Sequence, residues 1–240
     1  MSKKKVLFHS NFCKAFTGFG KNSKNILKHL HSTGKYEIIE AANGFSKSHP
    51  PLSKMPWKCF GTLPDDQARI AELNKDPNLA RSAAYGSEMI DEIIKETKPD
   101  VYIGAEDIWA FNNYWERKWW NKINCMVWTT LDSEPILPLA VEAANHIKNY
   151  FGWASFAERE MKKLGHEHFK TLHGAVESNT FFKATEESKD KLRERHKIDS
   201  NCFLIGFVFR NQLRKSVPNL LDGFKIFKQQ NPTVNTKLLL

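Results

Sequence analysis

Strand-length apolar runs alternate with helical patterns along this chain, and a glycine-bearing turn stands at the first change-over. Residues 5–10, "KVLFHS", read as a short buried strand. Beyond the stretch "AFTGFGKNS" at 15–23, the segment "NSKNILKHLHSTG" places Ile26, Leu27 and Leu30 at helical spacing. Asn22 or Ser23 is expected to cap that helix, and Gly34 to stop it. "YEIIEAA" then reads as a second strand. Two parallel strands require a crossover, so this β-loop-α-β opening predicts a doubly wound parallel sheet.

The rhythm continues. Residues 46–64 carry Pro50, Pro51, Pro56 and Pro64 and are expected to form a long excursion. Helical patterning covers 65–75 and 79–97, the latter ending in Lys-Pro-Asp before the strand "VYIGA". An aromatic-rich helix is expected near 112–121, followed by the strand "INCMVWTT". "HIKNYFGWA" should hold a short strand, "SFAEREMKKLG" a helix, and "FKTLHGA" another extended segment. Residues 1–182 thus read as one Rossmann-like α/β domain with both sheet faces covered. Residues 183–201, "KATEESKDKLRERHKIDSN", form a charged linker or helix. At 202–240 the strand "CFLIGFVF", the helix "VPNLLDGFKIFKQQ" and the apolar "TKLLL" begin a second Rossmann-like domain. That rhythm breaks off after its second strand, so the sequence is expected to be a piece of a longer protein.

Composition narrows the class. With 41% hydrophobic and 12% aromatic residues the chain can bury a core, and a net charge of +9 favours an anionic partner. Cys13, Cys59, Cys125 and Cys202 lack C-x-x-C spacing, which suggests neither zinc nor a redox pair. No run approaches the roughly 18 apolar residues of a membrane span. A reduced cytoplasmic setting is expected, and the positive charge also suits a peripheral position at a membrane surface.

The glycine stretch half-matches two phosphate-binding patterns. Against the P-loop, Gly20 and Lys21 fit, but Ala15 replaces the first glycine and Asn22 the magnesium-binding hydroxyl. Against G-x-G-x-x-G, Gly18 and Gly20 fit and Ser23 takes the third position. Either way, glycines after a strand allow close approach, and a helix start attracts anions. The plainer reading is a tight βα turn. In "FRNQLRKSVPNLLDGF", at 209–224, Arg210 at a strand end and Lys215 near a helix start are placed to grip one diphosphate, with Arg214 as a third donor. Glu106 and Asp107 in "GAEDIW", and Asp132 and Glu134 in "WTTLDSEP", lie after strands, where a carboxylate can orient a hydroxyl or simply shape a turn. His173 is a further candidate contact. The aromatics of "WAFNNYWERKWW" are expected to form the buried face of a helix rather than a stacking platform.

Taken together, "TGFG", "KPDVYIGAEDIW", "TLHGAVESNTFF" and "GFVFRNQLRKSVPNLLDGFKIF", with its five-residue step from Arg210 to Lys215, resemble the ordered segments of retaining GT-B glycosyltransferases. The resemblance extends over essentially the whole chain. It implies two facing Rossmann-like domains, a nucleotide-sugar donor held mainly by the C-terminal one, and transfer of the sugar to an acceptor hydroxyl. It also implies that Arg210 and Lys215 bind the donor diphosphate and neutralise the leaving group, and that Gly18 and Gly20 face the donor phosphates or the acceptor. Asp107 and Asp132 become catalytic candidates, and Glu106, Glu134 and His173 substrate contacts. No metal or separate cofactor is implied. The acceptor stays open among a glycan, a lipid-linked group and a nucleic-acid base. Two departures weigh against a direct transfer of roles: many members carry a His where this chain has "WTTLDSEP", and the Glu-x7-Glu segment that holds the donor sugar is absent. A P-loop hydrolase or kinase, and a GT-B-like binding module without turnover, remain as alternatives.

Overall fold

The computed structural model describes residues 3–174, 176–209 and 211–240. The chain divides into two compact units, Met1–Glu177 and Ser178–Leu240.

In the first unit β1 (Lys4–Asn11) leads through the glycine stretch into α1 (Gly18–Ser32) and returns as β2 (Tyr36–Ser46). There follow β3 (Lys58–Leu63), α2 (Gln67–Leu73), α3 (Pro77–Ala84) and α4 (Ile90–Thr97). The unit closes with β4 (Val101–Ala105), β5 (Asn124–Thr129), α5 (Pro138–Ala144), β6 (Asn149–Gly152), α6 (Ser155–Lys163) and the short β7 (Lys170–Thr171). All seven strands are parallel, in the order β3-β2-β1-β4-β5-β6-β7. Strand order therefore reverses at β1: the chain first winds outward through β2 and β3, then crosses to β4 and winds the other way. In such sheets the crevice at the carboxyl ends of the two strands flanking the reversal is where ligands bind.

Period-two alternation builds both faces. Leu7, Ile39, Tyr102 and Val127 enter one core with α4's Ile90 and Ile93, while Val6, Phe8, Ile38 and Trp128 enter the other with α1's Leu27. Each fully buried aliphatic side chain contributes about 1.5–3 kcal/mol relative to exposure.

Several elements differ from the sequence expectation. The helix expected over 79–97 is two helices, because Gly86 takes φ +99 between them and packs against His9, where a Cβ would meet the ring Cε1 at 2.6 Å. The aromatic helix expected near 112–121 is a series of 3-10 turns, Ile108–Phe111, Tyr114–Glu116 and Trp120–Lys122. Asn113 in the left-handed region, φ 60, interrupts any continuous helix there. Its aromatics do supply core, with Tyr114, Trp115 and Trp120 buried. The proline-rich excursion contains the strand β3, which pairs with β2 at the sheet edge.

The second unit holds α7 (Glu186–Arg195), β8 (Phe203–Gly206), α8 (Val217–Gln230) and β9 (Thr236–Leu239), with β8 and β9 paired in parallel. β8, α8 and β9 form a β-α-β unit. Among the described residues no helix is long and apolar enough to cross a membrane.

Candidate functional site

At the carboxyl end of β1 the chain makes a turn over 12–17 before α1. Thr17, not Asn22 or Ser23, is the N-cap: its hydroxyl accepts from the Gly20 N–H at 3.0 Å and from Asn11 Nδ2 at 3.0 Å. Asn22 and Ser23 lie one turn into the helix and are buried. Gly18 and Gly20 are consequently the first and third residues of α1 rather than loop residues. They do different things. A Cβ on Gly20 would meet the Ala15 carbonyl oxygen at 2.5 Å and that of Phe12 at 2.8 Å, so the turn folds back tightly on it; a Cβ on Gly18 would meet nothing within 4 Å. Lys21 points outward, its ammonium 4.8 Å over the ring of the exposed Phe16.

Two buried carboxylates pin this turn from below. Glu106, just beyond β4 and 2% exposed, accepts the Asn11 N–H at 2.7 Å. Glu40, inside β2 and 1% exposed, accepts the Cys13 N–H at 2.7 Å through one oxygen and the Trp57 indole N–H at 2.8 Å through the other. Burial holds both carboxyls above the ordinary range, Glu106 at about 7 despite the opposing hydrogen bonds from Asn11 and Asn43. The same burial, reinforced by the Glu40 charge, pushes the Cys13 and Cys59 thiols well up and keeps them inert.

Glu106 also ends a directed polar chain through the sheet. The Asn43 amide donates to its Oε1 at 3.2 Å, so Asn43 Oδ1 accepts from His9 Nε2 at 2.8 Å. His9 Nδ1 must then accept from the Tyr102 hydroxyl at 2.8 Å. All four side chains are buried, and desolvation lowers His9 to about 4, which keeps the imidazole neutral as the donor pattern requires. His9, Asn43 and Tyr102 occupy β1, β2 and β4, the strands around the reversal.

The remaining candidates separate. Asp107 stands beside Glu106, half-buried, and receives the Thr130 hydroxyl from the end of β5. Asp132 and Glu134 are exposed and make no hydrogen bond to Glu106 or Asp107. Glu134 instead lines a shallow groove of about 740 Å³ with Pro138, Glu142 and Glu160, on the α5 and α6 side. His173 is exposed and donates Nδ1–H to the Trp153 carbonyl at 3.0 Å. Trp153 stacks on Trp128 at 4.7 Å and meets α1 through Phe19 at 5.2 Å. Glu106, Asp107 and the turn into α1 are thus brought together, Glu134 lies in the α5 and α6 groove, and Asp132 is exposed two residues past Thr130, the partner of Asp107.

In the second unit Lys215 ends a 3-10 turn, Leu213–Lys215, directly before α8, with Arg214 exposed beside it. Arg210 lies outside the described residues. Among those described, no group of three or more His, Cys, Asp or Glu has the geometry to hold a metal ion.

Sequence reasoning missed Glu40, Asn11, Asn43 and His9. The available signal was a carboxylate inside the apolar run "YEIIEAA", since an ionisable group in a two-face-buried strand needs a donor.

No family model matches the chain, and no curated protein is similar to it in sequence. Solved structures are similar in fold. The catalytic domain of starch synthase IV from Arabidopsis thaliana, bound to ADP and acarbose, aligns with all of this chain at TM-score 0.51 and 12% identity. Anabaena HepE, in complex with UDP and glucose, aligns with 98% of it at TM-score 0.55 and 16% identity. The chain spans 74% of the first and 60% of the second. The α/β architecture, with its parallel seven-stranded sheet and helices, matches that of these GT-B neighbours.

Proposed function

We propose that the protein takes part in glycosyl transfer from a nucleotide sugar to an acceptor hydroxyl, with retention of anomeric configuration. The observation that carries this reading is the fold likeness over the whole chain to two proteins that each hold a nucleoside diphosphate and a sugar. The built crevice at the strand reversal supports it, because Glu106 and Asp107 stand there at the ends of adjacent elements beside the turn into α1. Lys215, before α8, and Arg210 are the donor-diphosphate ligands in this reading. As the bond from the anomeric carbon to the β-phosphate oxygen breaks and the bond to the acceptor oxygen forms, negative charge builds on the diphosphate, and the departing phosphate oxygen takes up the acceptor's hydroxyl proton. Fixed cations and a helix N-terminus stabilise that charge. Asp107 or Glu106 orients the acceptor hydroxyl.

The test is calorimetric titration with UDP-, GDP- and ADP-glucose in the presence of EDTA. At least one is expected to bind, and Lys215→Ala is expected to weaken it by about tenfold, the loss of one charge-assisted contact. Binding of none of them would overturn this reading, and ATP binding that requires magnesium and is abolished by Lys21→Ala would replace it with that of a P-loop nucleotide enzyme. Retention is checked by the anomeric proton coupling of the product.

A further inference from the structure

Beside Asp107 lies a cluster that neither hydrophobic core absorbs. The turn Ile108–Phe111 is anchored by Ile108 and Phe111, both buried, while Trp109 between them turns outward and is half-buried. The Tyr85 ring meets Trp109 edge to face at 4.6 Å, and the Arg81 guanidinium lies 3.8 Å over the indole. Arg69, Arg117 and Arg159 each pair with a carboxylate, whereas Arg81 has no such pair among the described residues. The platform is rigid. Tyr85 closes α3, its carbonyl accepts the Tyr114 hydroxyl at 3.2 Å, and the next residue, Gly86, is locked against His9. Burial raises the Tyr85 phenol above its ordinary range, with the Glu106 and Asp107 charges adding and Arg81 opposing, so all three charges reach the phenol.

We infer that Arg81, Tyr85 and Trp109, with Asp107, form a carbohydrate-binding subsite that takes an oligosaccharide acceptor; this rests on the glycosyltransfer reading for its place in the reaction, though not for the binding itself. Arg81 covers one face of the indole, so the half-exposed remainder of Trp109 and Tyr85 is the apolar surface offered to the C–H face of a pyranose. A guanidinium fork and a carboxylate beside them supply paired donors and acceptors for its hydroxyls. A lipid chain would need a continuous apolar trough without these charges. A nucleic-acid strand would not be served by the Asp107 carboxylate at the same spot.

The experiment screens the purified protein, without nucleotide, against an array of neutral and uronate-containing oligosaccharides. The best binder is then titrated against wild type, Trp109→Ala, Tyr85→Ala and Arg81→Ala, with single-stranded DNA of mixed sequence and UDP titrated in parallel. One or more oligosaccharides are expected to bind. Trp109→Ala should weaken binding by about tenfold or more, and the exposed Arg81→Ala, which leaves the fold intact, by about threefold to tenfold. UDP affinity should stay unchanged in all three. No oligosaccharide binding by wild type, binding indifferent to Arg81→Ala and Trp109→Ala, or DNA binding weakened in place of it would each overturn the inference. Glycan binding without nucleotide binding would sink the transferase reading and leave the subsite standing. Nucleotide binding without glycan binding would do the reverse.

Discussion

The backbone N–H of Asn11 donates to Glu106 Oε1 at 2.7 Å, joining the last residue of β1 to the first residue past β4 across the point where strand order reverses. That bond makes the crevice a built feature, because the path into α1 cannot shift without unpairing a buried carboxyl.

Glu106 predicts a measurable pH dependence. Burial raises it from 4.5 to about 7, so between those values the folded protein binds more protons at this site than the unfolded chain does. Stability from this group is full below 4.5 and falls as pH rises toward 7, with a limiting slope of about 1.4 kcal/mol per pH unit. His9 runs the other way: lowered from 6.5 to about 4, it loses stability as pH falls below 6.5. The two slopes cancel over much of their shared range, so wild type alone hides both. The stability difference between wild type and Glu106→Gln removes the His9 contribution. It should shrink by on the order of 3 kcal/mol from pH ~4.5 to pH ~7.5 in urea melts. A difference that is flat, or that grows with pH, rules out the raised carboxyl.

The two glycines at the start of α1 should respond oppositely to alanine. At Gly20 the new methyl group would press on two backbone carbonyl oxygens, at 2.5 and 2.8 Å, and backbone yields poorly. A loss of about 1–3 kcal/mol is expected. At Gly18, with nothing within 4 Å, alanine reduces the freedom of the unfolded chain and should stabilise α1 by about 0.5 kcal/mol. Denaturant midpoints at equal slope decide this. Equal effects at the two sites would contradict the packing described.

Glu40 should matter more than an acid inside a strand suggests. Glu40→Ala strands both the Cys13 N–H and the Trp57 indole N–H, a loss of about 3 kcal/mol at roughly 1–3 per buried donor. Glu40→Gln keeps an acceptor oxygen and should recover at least half of it. Hydrogen exchange at the Cys13 amide should speed up in the alanine variant and much less in the glutamine variant. Identical exchange in the two would mean that the carboxylate does not hold the turn.

How much of this was legible depended on how local the cause was. The split of Val6 and Leu7 onto opposite faces follows from period two, and the β-loop-α-β order follows from apolar spacing in consecutive segments. The break between α3 and α4 was hidden because the glycine there serves a distant residue, His9, and no neighbour in sequence announces it. The aromatic run failed for a related reason: its residues are buried as expected, but by 3-10 turns that connect β4 to β5 rather than by one amphipathic helix. In the site, Glu106 and Asp107 were visible as carboxylates after a strand. Glu40, Asn43 and His9 were not, since each acquires its role only through a partner brought close by the parallel register, His9 lying opposite Ala41 and Gly104.

Thr17 provides the sharpest local test, because one hydroxyl accepts from both the helix it caps and the strand before it. Removing it in Thr17→Ala leaves the Gly20 N–H without its cap and Asn11 Nδ2 without its partner. A loss of about 1–2 kcal/mol is expected, at the upper end of cap replacements because two donors depend on the same oxygen. Thr17→Ser keeps that oxygen and should lie within about 0.5 kcal/mol of wild type. Asn11→Ala on the Thr17→Ala background should then add little, since their shared bond is already gone, giving a coupling energy of about 0.5 kcal/mol or more in a double-mutant cycle. Strict additivity of the two substitutions would mean that Asn11 is held by its backbone bond to Glu106 alone.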